Sequence, residues 1–109
     1  MNKTNLLFIC SRNQWRSPTA ENIWKCSSTY NVRSAGTSPR AKKTVSFDDI
    51  NWADIIFVME VKHKNRLIAE FTRMLTHKTI HVLDIPDDYQ FMDAELVSEL
   101  KVKVESLLS

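Results

Sequence analysis

Glycine occurs once in 109 residues, at Gly36, and proline three times. One glycine excludes the glycine-rich loops that cradle nucleotide phosphates, because those need several positions without a Cβ. Cysteine occurs twice, at Cys10 and Cys26, which makes no disulfide framework and suits a reducing compartment, the cytoplasm. His63, His77 and His81 have no paired-ligand spacing with the cysteines, so neither a metal site nor another cofactor is expected. No apolar stretch approaches the roughly 20 residues of a membrane span. The run that follows Met1-Asn-Lys-Thr-Asn5 covers only Leu6 to Ile9, short of the roughly 7–15 apolar residues of an export signal. Fifteen basic residues against thirteen acidic leave a net charge of +2 with no lysine–arginine block. Neither a membrane nor a nucleic acid is therefore the expected partner. What is present is 43% hydrophobic and 26% charged, enough to bury one core over residues 1–109 and too apolar for disorder.

Hydrophobic patterning alternates strand and helix along the chain. Asn5 to Cys10 is a short continuous apolar run, as in a strand covered on both faces. Ser17 to Ser28 is predicted as a helix, with Ser17 as its cap and Pro18 in the first turn. Tyr30 to Ala35 is a weaker strand closed by Gly36, and Thr37 to Lys43 a polar, basic loop around Pro39. Ser46 caps a helical turn that runs to about Trp52. Asp54 to Met59 is the strongest apolar run, and Val61 to Leu75 has amphipathic helical spacing. Thr79 to Leu83 is a fourth strand and Asp84 to Gln90 an acidic loop. Asp93 caps a last helix with Leu96, Leu100, Val104 and Leu108 four apart. This order predicts an α/β three-layer sandwich, a four-stranded parallel sheet flanked by helices, in a single domain. Ligands of such sheets gather at the carboxyl ends of the strands, where the Cys10 loop and the Asp84–Tyr89 loop both lie.

The segment Cys10-Ser-Arg-Asn-Gln-Trp-Arg16-Ser17 joins the first strand to the first helix. Backbone N–H groups at a helix amino terminus bind anions. A thiolate is a nucleophile, and the helix end, Arg16 and a Ser17 hydroxyl each favour that form of Cys10. Arg16 offers a planar fork for two phosphoryl oxygens, and backbone N–H groups from Ser11 through Arg12, Asn13, Gln14 and Trp15 to Arg16 would take the rest. Attack on phosphorus gives a phosphocysteine that water then hydrolyses. The leaving oxygen needs a proton, which Asp87 or Asp88 can supply, and Tyr89 offers a ring to an aromatic leaving group.

Cys10 through Glu21 (CSRNQWRSPTAE), Ser34-Ala-Gly-Thr37, Ala53-Asp54 to Met59-Glu60, and Ile85-Pro-Asp-Asp-Tyr89 together resemble the low-molecular-weight protein tyrosine phosphatases. That resemblance implies Cys10 as nucleophile, Arg16 as phosphate clamp, Ser17 as the hydroxyl that steadies the thiolate, and Asn13 as the side chain bracing the loop. It places Asp87 on the general acid and Tyr89 on an aromatic wall of the cleft. It implies a phosphorylated protein or small phosphate ester as partner. There are departures. Arg12 stands where the family usually has glycine, and Trp15 replaces its second loop cysteine, so the vicinal disulfide that protects the nucleophile cannot form. Asp88 replaces the proline of the acid loop. The chain is also short for the family, missing one helix and a cleft wall between Thr37 and Ser46, so a shallow, open pocket is expected.

Blander roles compete for the same residues. Cys10 alone would be a small buried hydrophobe and Cys26 a packing residue. Arg12 reads as a solvated charge and Trp15 as either an anchor or a stacking surface; Asp87 and Asp88 also fit a polar turn. Trp52, Phe57, Phe71 and Phe91 are expected in the core, and His63 and His81 at the surface or on a strand face. Two further functions stay open: a module that binds phosphate or phosphoprotein without turnover, and arsenate reduction, which needs a second thiol to carry the disulfide away.

Overall fold

A computed structural model describes residues 3–108. Met1 and Asn2, at the head of the stretch tested above as an export signal, lie outside them. The elements run β1 (Thr4–Cys10), α1 (Arg16–Trp24), β2 (Tyr30–Gly36), α2 (Phe47–Trp52), β3 (Ile55–Val58), α3 (Val61–Phe71), β4 (Thr79–Val82) and α4 (Ala94–Leu108). The strands form one parallel sheet in the order β2-β1-β3-β4, with Cys10 opposite Gly36 and Ile9 opposite Val58. Strand β1 is central, and Leu6 to Ile9 are all fully buried, which explains their unbroken apolar run.

Side chains alternate across a strand, and here that period divides the core in two. Leu6, Phe8 and Cys10 face α1 and α4, packing with Trp24, Phe57, Leu96, Leu100 and Val104. Leu7 and Ile9 face α2 and α3, packing with Ile50, Ile56, Val58 and Leu67. Phe8 stacks against both Trp24, at 5.6 Å, and Phe57, at 5.2 Å. Each such buried side chain contributes about 2 kcal/mol by leaving water. The same alternation carries Cys10 onto the α1 face at the carboxyl edge of the sheet.

Helix α2 begins as expected. Ser46 Oγ accepts the Asp49 N–H at 3.3 Å and Asp49 Oδ2 accepts the Ser46 N–H at 3.1 Å. Asp93 Oδ1 likewise accepts the Glu95 N–H at 2.9 Å at the start of α4. Other expectations need correction. Helix α1 stops at Trp24 rather than Ser28, because Ser27 Oγ accepts the N–H groups of Thr29 and Tyr30 and turns the chain into β2. Helix α3 ends at Phe71, and the chain then tightens, with Met74 N–H donating to Phe71 O. Ser17 is not the cap of α1; that position is Trp15, without a side-chain hydrogen bond, and the Ser17 hydroxyl is used elsewhere. Cys26 and Phe91 are exposed rather than packed, and His63 is buried rather than at the surface. His81 does lie on a strand face, its ring against Phe57. Among the described residues no helix is long and apolar enough to cross a membrane.

Candidate active site

Cys10 ends β1 with 3% exposure, and its Sγ lies 3.0 Å from Ser17 Oγ and accepts the Asn13 N–H at 3.3 Å. Asn13 has φ 53°, the left-handed backbone that asparagine tolerates best after glycine, and this turns its N–H back on the sulfur. Its Nδ2 donates to Ser17 Oγ and to Ser34 Oγ, each at 2.9 Å, and Ser34 Oγ donates to Glu21 Oε1 at 2.5 Å. These bonds set directions. Once Ser17 Oγ accepts from Asn13, its own proton points to the Cys10 sulfur or, more distantly, to Ala35 O at 3.4 Å.

The loop is shaped from behind by the segment after β2. Thr37, Ser38 and Lys42 N–H groups donate to the carbonyls of Cys10, Ser11 and Arg12 at 2.9–3.0 Å. With those carbonyls committed, the amide ends of the loop remain for a ligand. Gly36 makes the approach possible: a Cβ there would lie 2.5 Å from Ser11 O and 3.0 Å from Asn13 N. Arg12 keeps a negative φ, so replacing the family's glycine there forces no left-handed backbone.

Arg16 opens α1 and is only 2% exposed. A buried guanidinium must be paired, and Nη1 donates to Glu60 Oε2 at 2.5 Å and to Ile85 O at 2.8 Å, while Nε lies 3.6 Å from Asp87 Oδ1. Glu60 follows β3, and Ile85 follows β4, held there by its N–H donating to Met59 O. Burial raises the Glu60 carboxyl, but the Arg16 hydrogen bond and charge outweigh it and hold it below the usual range.

His63, expected at the surface or on a strand face, is the site neighbour that sequence reasoning missed. It is 1% exposed, its Nδ1 accepts the Glu60 N–H at 3.1 Å, and its Nε2 lies 2.8 Å from Ser11 Oγ. Burial, reinforced by the Arg16 charge, lowers its pKa to about 4, so the ring is neutral. With Nδ1 accepting, the proton sits on Nε2 and is donated to Ser11. The available signal was spacing: His63, Leu67 and Phe71 fall four apart on one helical face.

Cys10, Arg12, Gln14, Trp15, Arg16 and Asp87 line a small recess of about 30 Å³, far below the volume of a pocket for a drug-sized ligand. Asn13 and Ser17 support the sulfur from beneath it. Ser11 points to the opposite side of the loop and lines a separate groove. Of the two adjacent carboxylates, Asp87 reaches the recess and Asp88 does not line it. Tyr89 also stays outside: its ring packs on the core and its hydroxyl donates to Glu99 Oε2 on α4 at 3.2 Å. Among the described residues no group of three or more His, Cys, Asp or Glu side chains is placed to hold a metal ion.

On the carboxyl edge of this parallel sheet, a strand-to-helix loop carries a thiol at one lip and a buried arginine at the other. No protein-family model and no curated protein matches the sequence, whereas solved structures do. YwlE arginine phosphatase from Geobacillus stearothermophilus superposes with a TM-score of 0.75 at 21% identity, covering 96% of this chain and 93% of that one. The low molecular weight protein tyrosine phosphatase SP-PTP from Streptococcus pyogenes gives 0.75 at 20%, covering 97% and 94%. The thioredoxin-dependent arsenate reductase of Corynebacterium glutamicum gives 0.68 at 19%, covering 97% of this chain and 60% of that one. The chain therefore has the fold of the low-molecular-weight protein tyrosine phosphatases.

Proposed function

We propose that the chain is a member of that phosphatase family and hydrolyses phosphate monoesters through a phosphocysteine, with phosphotyrosine in a protein as substrate. The carrying observation is the Cys10 sulfur within 3.0 Å of the Ser17 hydroxyl in the same recess as Arg16 and Asp87. In this reading the Cys10 thiolate attacks phosphorus in line with the leaving oxygen. The S–P bond forms as the P–O bond breaks, and Asp87 gives its proton to that oxygen. Arg16, its plane fixed through Nη1, uses its remaining N–H groups on the equatorial oxygens beside the loop amides. Water then attacks the phosphocysteine, Asp87 takes the water's proton, and inorganic phosphate leaves. Trp15, 37% exposed at the recess, is the ring beside the substrate.

The test is hydrolysis of an aryl phosphate in metal-free, mildly acidic buffer. Wild type turns over and Cys10→Ser does not; equal rates reject the proposal. The arginine phosphatase among the neighbours makes a phosphoramidate the second substrate to try. Arsenate reduction is the weaker reading. Cys26 is exposed but lies beyond the far end of α1, whose nine residues span roughly 13 Å, and a disulfide needs Cα atoms within about 7 Å.

A further inference from the structure

Behind the catalytic loop runs a groove of about 490 Å³. Ser11, Thr37 and Ser38 contribute one part of its lining, and Lys62, Asn65 and Arg66 of α3 another; no carboxylate is among the lining residues. Lys62 and Arg66 have acidic neighbours, Glu60 at 3.8 Å and Glu70 at 2.9 Å. Such exposed pairs are worth little and exchange readily for a better-placed anion. Ser11 adds a fixed donor, because its oxygen already accepts from the buried His63 ring and its own proton is left for a ligand. Every polar side chain that faces the groove can donate, and two carry positive charge, which describes a receptor for acceptor-rich anions.

Position decides which anion. Ser11 sits between Cys10 and Arg12 in the chain, and both of those line the recess. An extended peptide advances about 3.3 Å per residue. A polypeptide with its phosphoryl group over Cys10 therefore needs only a few flanking residues to reach around the loop to the groove. We propose, resting on the phosphatase reading above, that this groove binds an acidic stretch of the phosphorylated protein flanking the phosphorylated residue. Carboxylate side chains of that stretch pair with Lys62 and Arg66 and accept from Ser11 and Asn65.

Two phosphotyrosine peptides that differ only in glutamate or glutamine at the flanking positions provide the test, with an aryl phosphate as control. Wild type should show a KM about fivefold lower for the glutamate peptide, the scale of one exposed ion pair. Arg66→Glu should abolish or invert that ratio while turnover of the aryl phosphate stays unchanged. The proposal is overturned by no preference in wild type, or by a ratio that survives Arg66→Glu. It is equally overturned if a single-stranded oligonucleotide, and not the glutamate peptide, binds in an Arg66-dependent way. Should the aryl phosphate itself not turn over, the phosphatase reading fails separately. Binding of the two peptides to Cys10→Ser, followed by fluorescence anisotropy, still reads the groove.

Discussion

The two ends of the Cys10–Ser17 loop are built by different means. At the thiol end, Cys10 is surrounded by Asn13, Ser17 and Ser34, which come from the loop itself, the helix after it and the neighbouring strand. At the guanidinium end, Arg16 is held by Glu60 and Ile85 O, which come from the ends of β3 and β4, far along the chain. The thiol end is a network of hydroxyls and an amide, anchored on the Glu21 carboxylate through Ser34, that sets proton directions. The guanidinium end is a desolvated charge that survives burial only through a paired carboxylate. One end therefore tolerates small losses, and the other fails when its charge partner or its geometry changes.

Arg16→Lys breaks the guanidinium end with the largest effect. It keeps the charge but not the fork, and kcat/KM for an aryl phosphate should fall about 10²–10³-fold, measured by steady-state kinetics. Asp87→Asn should lower kcat about 10²-fold, whereas Asp88→Asn leaves it near wild type. That contrast checks the assignment of the acid by the one carboxylate that reaches the recess. Gly36→Ala attacks the thiol end without touching a side chain there. The added Cβ meets backbone at 2.5 Å, the loop must move, and kcat/KM should drop by up to about 10²-fold with the fold intact by circular dichroism.

His63 makes the guanidinium end sensitive to pH through its contact with Glu60. Its pKa is about 4 when folded against an ordinary 6.5, so between those values the unfolded chain binds more protons. Stability is then full above about pH 6.5 and declines as pH falls towards 4, by about 3 kcal/mol. In His63→Gln the decline between pH 6.5 and 4.5 should flatten, read from urea midpoints. An unchanged slope over that window would contradict a buried, neutral His63, because Glu60, held below its ordinary 4.5, adds its own decline only at lower pH.

This contrast also explains what could be read in the chain before its structure. The thiol end was legible because its parts lie in two short motifs, residues 10–17 and 34–37, whose spacing follows from a strand, a loop and a helix start. The sheet was legible because β3 and the buried part of β1, Leu6 to Cys10, are covered on both faces and are apolar. At the guanidinium end Arg16 and Asp87 were legible, but the groups that hold Arg16 in place were not. Ile85 acts through its carbonyl, which any residue supplies, and His63 has a side chain that fits a surface as well as a core. Phe91 and Cys26 were misplaced for a related reason: apolar character predicts burial only on average, and both lie in short connections that the helices do not cover. Ser17 looked like a helix cap because serine usually is one; the nearby sulfur and Asn13 claim its hydroxyl instead.

Transfer of the phosphoryl group to the Cys10 sulfur can be trapped by rapid acid quenching of wild type during turnover of an aryl phosphate, followed by mass spectrometry of the peptides. The expected result is a phosphoryl group on the peptide containing Cys10, together with a burst of phenol stoichiometric with enzyme. Turnover with no modification at Cys10 and no burst, or a rate that Cys10→Ser retains, would contradict it.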